Sequence, residues 1–208
     1  MTTKSLADYD RAIQLNPNDA KAYINRGNAK YALGRKKDAI ADYDRAIQLD
    51  SNYAKAYNNR GYAKYALGKK QEALADYDRA IQLDSNYADA YNYRGVAKSD
   101  LGRNQEAIAD YDQAIKLDSN DAIAYFGRGS AKYALGKNQD AIADYDRAIK
   151  LAPENANAYY NRGNAKSTLE DKQSAIQDYQ KAADLYKQQG KTSDYQDAVN
   201  QANKLSEQ

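Results

Sequence analysis

A 34-residue period, two amphipathic segments in each period and a glycine between them predict an all-α fold, an α-solenoid of tandem helix-turn-helix units. The clearest copy runs from Ala54 to Tyr87. Arg60-Gly61 within it returns as Arg26-Gly27, Arg94-Gly95, Arg128-Gly129 and Arg162-Gly163. Asp76 returns with its following Tyr at Asp42, Asp110, Asp144 and Asp178. A chain of this kind escapes the usual domain count, because each unit packs only on its neighbours.

The N-terminal stretch, residues 1–19, matches the second half of a unit: Tyr9, Ala12, Ile13 and Leu15 correspond to Tyr77, Ala80, Ile81 and Leu83. Five whole units follow over residues 20–189, and residues 190–208 differ. In the second half of a unit, Ala73, Leu74, Tyr77, Ala80 and Ile81 form the apolar stripe of an amphipathic helix. The first half, Ala54 to Leu67, is rich in Ala, Tyr and Lys and has no Pro. Gly68 and its counterparts Gly34, Gly102 and Gly136 suit the left-handed conformation that ends a helix. Glu170 takes that place in the fifth unit, where the turn is expected to be strained or loose. The linkers carry Asp-Ser-Asn or Pro, which predicts turn and N-cap chemistry. Gly61, Ala73 and Ala80 allow close helix approach, with Tyr57, Leu67, Tyr77, Ile81 and Leu83 filling the space between turns. Past Gly190, Ser193 and Gln196 have capping-box spacing, and Tyr195, Val199, Ala202 and Leu205 make a narrow stripe suited to a terminal cap. Twelve helices are therefore expected: one alone, ten in hairpins and one cap.

Composition excludes more than it selects. Lys plus Arg is 31 against 29 Asp plus Glu, a balance that argues against nucleic acid as the partner. The chain has no Cys and no His, so it lacks thiolate chemistry, the commonest metal ligand and the commonest general base. No metal site, cofactor or enzymatic activity is expected. No apolar run is long enough to span a bilayer, and MTTKSLADYD lacks the apolar stretch of a secretory signal, so a soluble cytoplasmic protein is expected.

Tyr57, Gly61, Gly68, Ala73, Tyr77, Ala80 and Leu83, recurring every 34 residues, resemble the tetratricopeptide repeat from residue 5 to 189. Tyr57 stands where that pattern has Trp, Arg60 where it has Leu and Lys64 where it has Tyr; its Pro survives as Pro17 and Pro153. The stretch from Ala182 to Tyr195 also resembles the ends of bacterial, cyanobacterial-type members. The resemblance implies a right-handed superhelix whose concave face holds an extended peptide or a partner helix. Co-chaperone members clamp a terminal carboxylate with Lys, Asn and Arg. Lys21, Lys55, Asn25 and Asn59 could supply part of such a clamp here, but Ile24 and Asn58 stand where it begins with Lys.

The units also differ from one another in an ordered way. The slots that vary along the first helix, seen at Lys55, Asn58, Asn59, Tyr62, Tyr65 and Ala66, lie on one arc of about 120°. A drifting solvated face would fill with Glu, Lys and Gln. This arc instead holds Ile24, Tyr31, Tyr93, Ile123, Tyr160 and many Asn, types that grip peptide. We take Lys55, Asn58, Tyr62, Tyr65, Asn92, Val96, Phe126 and Tyr133 as the expected peptide-binding groove. Some of these aromatics could instead pack between adjacent first helices. Arg60 and Asp76 lie at equal distances from Gly68, so they should pair across the hairpin, as should Lys64 and Glu72. Arg26–Asp42, Arg94–Asp110, Arg128–Asp144 and Arg162–Asp178 repeat the arrangement. A basic ladder for phosphate is the functional alternative, and the balance of charges favours structural pairs. Asp76 and Asp78 point apart on a helix and make no shared site. The expected function is a scaffold for a peptide or protein segment, monomeric or weakly associated end to end. A self-assembling repeat, joined head to tail through the open N-terminal half unit, is the alternative.

Overall fold

The computed structural model describes residues 3–207; residues 1, 2 and 208, the outer ends of the two terminal segments, lie outside it. The described residues form twelve α-helices and no strand, as expected. They fall into two compact units, Met1–Leu101 and Gly102–Gln208. The first holds α1 (Thr3–Leu15), α2 (Ala20–Ala32), α3 (Lys36–Leu49), α4 (Ala54–Tyr65), α5 (Lys70–Leu83) and α6 (Ala88–Ser99). The second holds α7 (Asn104–Leu117), α8 (Ala122–Ala134), α9 (Asn138–Leu151), α10 (Ala156–Thr168), α11 (Lys172–Gln188) and α12 (Thr192–Ser206). Within each unit a helix packs on the helices next to it in sequence, and alternate first helices also touch, as α2 does α4 and α4 does α6.

Local chemistry sets the boundaries. Gly34, Gly68, Gly102 and Gly136 all have φ between 74° and 79°. At Gly68 the chain turns back so that the Gly68 and Lys69 amides reach the Tyr65 and Lys64 carbonyls. Glu170 adopts the same conformation with φ 61°, so the fifth turn keeps its shape and bears the strain of a side chain there. Capping is more selective than the linker composition suggests. Asp19, Asp121 and Asn155 accept amide hydrogens in the first turns of α2, α8 and α10. Tyr53 and Tyr87 occupy the same place before α4 and α6 without a side-chain cap. Asp50, Asp84 and Asp118 instead accept from the amide two residues ahead and shape the turn. The Ser193–Gln196 capping box does not form: α12 starts at Thr192, so Ser193 is already inside the helix.

The small-residue positions work as close contacts. A Cβ on Gly61 would lie 2.8 Å from the Tyr77 ring, and one on Gly27 would lie 2.6 Å from Tyr43. Ala73, Tyr77 and Ala80 are fully buried. The leucines before the turns are less buried than a space-filling role requires. Leu33, Leu101, Leu135 and Leu169 keep 38–45% of their surface, because the chain leaves the packed layer at that point.

The Arg60–Asp76 pair forms as a two-pronged fork, Nε to Oδ2 at 3.0 Å and Nη2 to Oδ1 at 2.5 Å. Nη1 of Arg60 donates to Asp44 on α3, the second helix of the preceding repeat, at 2.6 Å. Arg26 joins Asp42 and Asp10 in the same way, Arg128 joins Asp144 and Asp112, and Arg162 joins Asp178 and Asp146. Lys64 adds a 2.8 Å pair to Asp76, while its contact with Glu72 is at 4.0 Å. Every arginine of these sets is thus answered, and a free basic ladder is absent from them.

Two outcomes follow from this packing. A double-mutant cycle of Arg60→Ala and Asp76→Ala, read from urea midpoints, should give a coupling of at least about 1 kcal/mol, because Asp76 is buried and the contact is charge-assisted. Coupling near zero would place the pair with exposed salt bridges. Burial also raises the Tyr87, Tyr145, Tyr179 and Tyr186 phenols from 10.0 to about 12, and raises Tyr43 and Tyr77 as well. A phenol whose folded pKa is raised favours the folded state below the unfolded pKa. That stability is lost as pH climbs through the folded pKa. Melting temperature should therefore hold up to about pH 10 and fall steeply between pH 10 and 12, with tyrosinate absorbance rising along the melt.

Candidate binding cleft

The expected groove residues separate into three environments. Lys55, Asn58 and Tyr62 meet at one cleft of about 300 Å³ in the first unit, with Asn28, Tyr31, Tyr43, Asn59, Tyr87, Asp89 and Tyr93. Tyr65 packs on the cluster of Ala73, Leu74, Tyr77 and Ala97, and its hydroxyl donates to Asp100 at 2.7 Å. Asn92 is buried and Val96 half-buried on α6. In the second unit, Phe126 and Tyr133 lie against Ala141, Tyr145 and Ala165, with the Phe126 and Tyr145 rings 6.0 Å apart. Those two side chains serve inter-helix packing.

The slot of Asn58 explains the division. Its counterparts are Ile24, Asn92, Phe126 and Tyr160. Ile24 is 1% exposed and belongs to the core with Ala39, Tyr43 and Ala56, so its place on the variable arc reflects packing and not a groove. Tyr160 packs on Tyr179 and Tyr186. The slot thus faces the partner helix of its own hairpin and the helix that follows, and an apolar side chain fills it in three repeats. At Asn58 an amide stands there, 3% exposed. Its nitrogen donates to the Tyr87 hydroxyl at 3.3 Å and to Asn59 at 3.4 Å, and its oxygen has no hydrogen-bond partner in the protein. Turning the amide over would give the oxygen to Tyr87 and strand the nitrogen, so one end is open in either orientation.

Three tyrosines wall the cleft. Tyr31, Tyr62 and Tyr93 come from α2, α4 and α6, with ring centroids 5.2 and 4.9 Å apart and tilted planes. They recur every 31 residues, not every 34, so each step goes one repeat forward and three residues back along the helix. Burial, with the neighbouring Tyr62 hydroxyl, pushes the Tyr31 phenol up to about 12. A second cross-repeat link follows the same step: Asn59 donates to Asn28 at 2.9 Å, and Asn28 also accepts from the Tyr43 hydroxyl at 2.8 Å. Asn164 and Ser130 receive the equivalent Tyr179 and Tyr145 hydroxyls. In the second repeat Tyr62 stands in that slot, and the Tyr77 hydroxyl, fully buried, has no partner. The aromatic ladder therefore leaves a buried hydroxyl unmet beneath it.

Lys55 and Asp89 occupy the same slot of consecutive repeats and bring opposite charges to the cleft. Neither has an ion-pair partner among the described residues. Asp89 lies in the first turn of α6, where the helix dipole favours a carboxylate, and its charge helps to raise Tyr87. Lys55 lies in the first turn of α4, where the dipole opposes it. Among the described residues no three His, Cys, Asp or Glu side chains are grouped to hold a metal. No described helix is long and apolar enough to cross a membrane.

A profile described as TPR repeat matches residues 2–34, 27–68, 61–102, 97–136 and 129–169, and one described as tetratricopeptide repeat matches 156–189. Among solved structures, YrrB, described as a TPR protein with an unusual peptide-binding site, is 27% identical with a TM-score of 0.70, over 85% of this chain and 91% of YrrB. MamA is 25% identical with a TM-score of 0.71, over 79% of this chain and 96% of MamA. Yeast Tom70, 20% identical with a TM-score of 0.74, shares the fold over 98% of this chain and 44% of its own. No sequence among curated proteins matches at the same standard.

The cost of Asn58 is measurable. Asn58→Ile restores the side chain of the first repeat and removes an unmet amide, and should stabilise the protein by about 1 kcal/mol. Thermal or urea melts check this. A destabilised variant would mean that the Asn58–Tyr87 bond outweighs the open end of the amide.

Proposed function

The chain belongs to the tetratricopeptide repeat family, whose members are protein-interaction scaffolds, and from that premise we propose that it binds an extended peptide segment through the cleft of α2, α4 and α6. The observation that carries the reading is Asn58. A slot built for an apolar side chain holds a buried amide with one hydrogen-bonding end open, at the floor of an aromatic cleft. Buried polar groups are normally satisfied, and an amide end that no protein group meets is available to a partner's hydrogen bond. An amide offers both a donor and an acceptor, which is what a peptide unit presents in return. The Tyr31, Tyr62 and Tyr93 rings add contact area at little loss of rotamer freedom.

Phe126 and Tyr133 hold the second unit together and lie outside this site. Lys55 and Tyr62 are contact residues, and Asn92 and Tyr65 support the helices that present them. The family and the residue types support a scaffold without catalysis, since the cleft has neither a nucleophile–base pair nor a metal set.

Selection of a random dodecapeptide library on the intact chain tests the reading. Binders should lose about tenfold or more in affinity to Tyr62→Ala, and also to Asn58→Ile despite its greater stability. Binders that bind both variants as well as the native chain would show that the cleft is not the site.

A further inference from the structure

We propose that the cleft selects a segment carrying an arginine with an acidic side chain close to it in sequence, the guanidinium going to Asp89 and the tyrosine rings, the carboxylate to Lys55. This inference rests on the peptide-binding reading and names the chemistry of its ligand.

Four features of the cleft carry it. The first is the contrast in charge pairing. Arg60, Lys64, Lys70 and Arg26 are all held by carboxylates, whereas Lys55 and Asp89 both face the cleft and neither has an ionic partner. The second is position. The two residues fill one slot in consecutive repeats, and Lys21, Ile123 and Asn157 occupy it elsewhere, so the framework imposes no one charge there. Lys55 is held against the dipole of its own helix, a cost that an incoming carboxylate would relieve. The third is the wall of the cleft. Tyr31, Tyr62 and Tyr93 present ring faces in a tilted series, and Tyr62 remains 38% exposed. Ring faces attract cations, and a planar guanidinium both stacks on them and forks onto a carboxylate, which a lysine ammonium cannot do. The fourth is the floor, where the open end of the Asn58 amide and the Tyr87 hydroxyl supply polar atoms to the stem or backbone of that residue. A cleft of about 300 Å³ admits one long side chain with its adjoining backbone and not a folded element. The order of charges gives the site a direction: the acidic end of the segment lies toward α4 and the basic end toward α6.

The test uses the intact chain and fluorescent dodecapeptides drawn from a random library. Selected sequences should be enriched in Arg within a few residues of Asp or Glu. In the best of them, Arg→Gln should weaken binding at least about tenfold. Asp89→Asn should weaken the parent peptide by a similar factor and leave the Arg→Gln peptide unchanged, because the lost contact is the same one. Lys55→Gln should behave likewise toward removal of the acidic residue. Both positions are exposed, so the variants should fold as the native chain does, with Asp89→Asn melting slightly lower and Lys55→Gln slightly higher through the helix dipole. Selected peptides that depend on Tyr62 but lack the basic residue, or that show independent effects of Asp89 and Arg, would overturn the charge assignment and leave the scaffold reading standing. A library that yields no binder sensitive to Tyr62→Ala would overturn both.

Discussion

The arginine fork is the interaction on which the rest depends. Each of Arg26, Arg60, Arg128 and Arg162 grips one aspartate 16 residues ahead with two prongs and another 16 residues behind with the third. The first aspartate belongs to the arginine's own hairpin and the second to the element before it. A single side chain therefore closes a repeat and joins it to its neighbour. The guanidinium lies 5.4 Å from the Tyr23 or Tyr57 ring in the first unit and from the Tyr125 or Tyr159 ring in the second. Burial opposes its charge, and the aspartate hydrogen bonds outweigh that and hold the arginine protonated. Arginine suits this task better than lysine, since five donors in a rigid fork serve two carboxylates at once.

With packing secured by a constant set of polar and small residues, the opposite arc of the first helix is released from structural duty in part. Only in part, because the Asn58 slot still lies between packed helices. Three repeats fill it with Ile24, Phe126 and Tyr160 and gain core. The second and third repeats forgo that gain with Asn58 and Asn92, and the second does so beside an aromatic ladder and two unpaired charges. A local loss of stability next to convergent recognition chemistry is what the proposed peptide site would require.

Much of this was legible in the sequence. The period, the turn glycines and the Arg60–Asp76 pair all follow from local spacing, and spacing within a hairpin is conserved by the helix geometry itself. Contacts between hairpins were harder to see. Asp76 and Asp78 diverge on the helix, which disqualified them as a catalytic pair; that same divergence sends Asp76 to Arg60 and Asp78 to Arg94. The Tyr31–Tyr62–Tyr93 ladder was hidden because its 31-residue step runs across the 34-residue comparison that exposed everything else. Ile24 was misplaced for a related reason. Variation between copies marks a slot as free of the repeated framework, yet the slot can still be buried against residues that do not vary, as Ile24 is against Ala39, Tyr43 and Ala56. The Ser193 cap does not form because α12 starts two residues earlier than capping chemistry alone would place it, with Lys191 at the N-cap.

That 31-residue step has an evolutionary consequence. The framework treats every repeat alike, so duplication or loss of a whole copy would leave the hairpins and their arginine forks intact. The ladder is not so indifferent. It needs an aromatic at three different heights in three successive copies, Tyr31, Tyr62 and Tyr93. A second copy of Ala54–Tyr87 inserted after the first would bring Asn59, not a tyrosine, to the third height. Repeats that are interchangeable as building material are thus individually addressed at this surface, and their order becomes heritable information that the fold alone would never preserve.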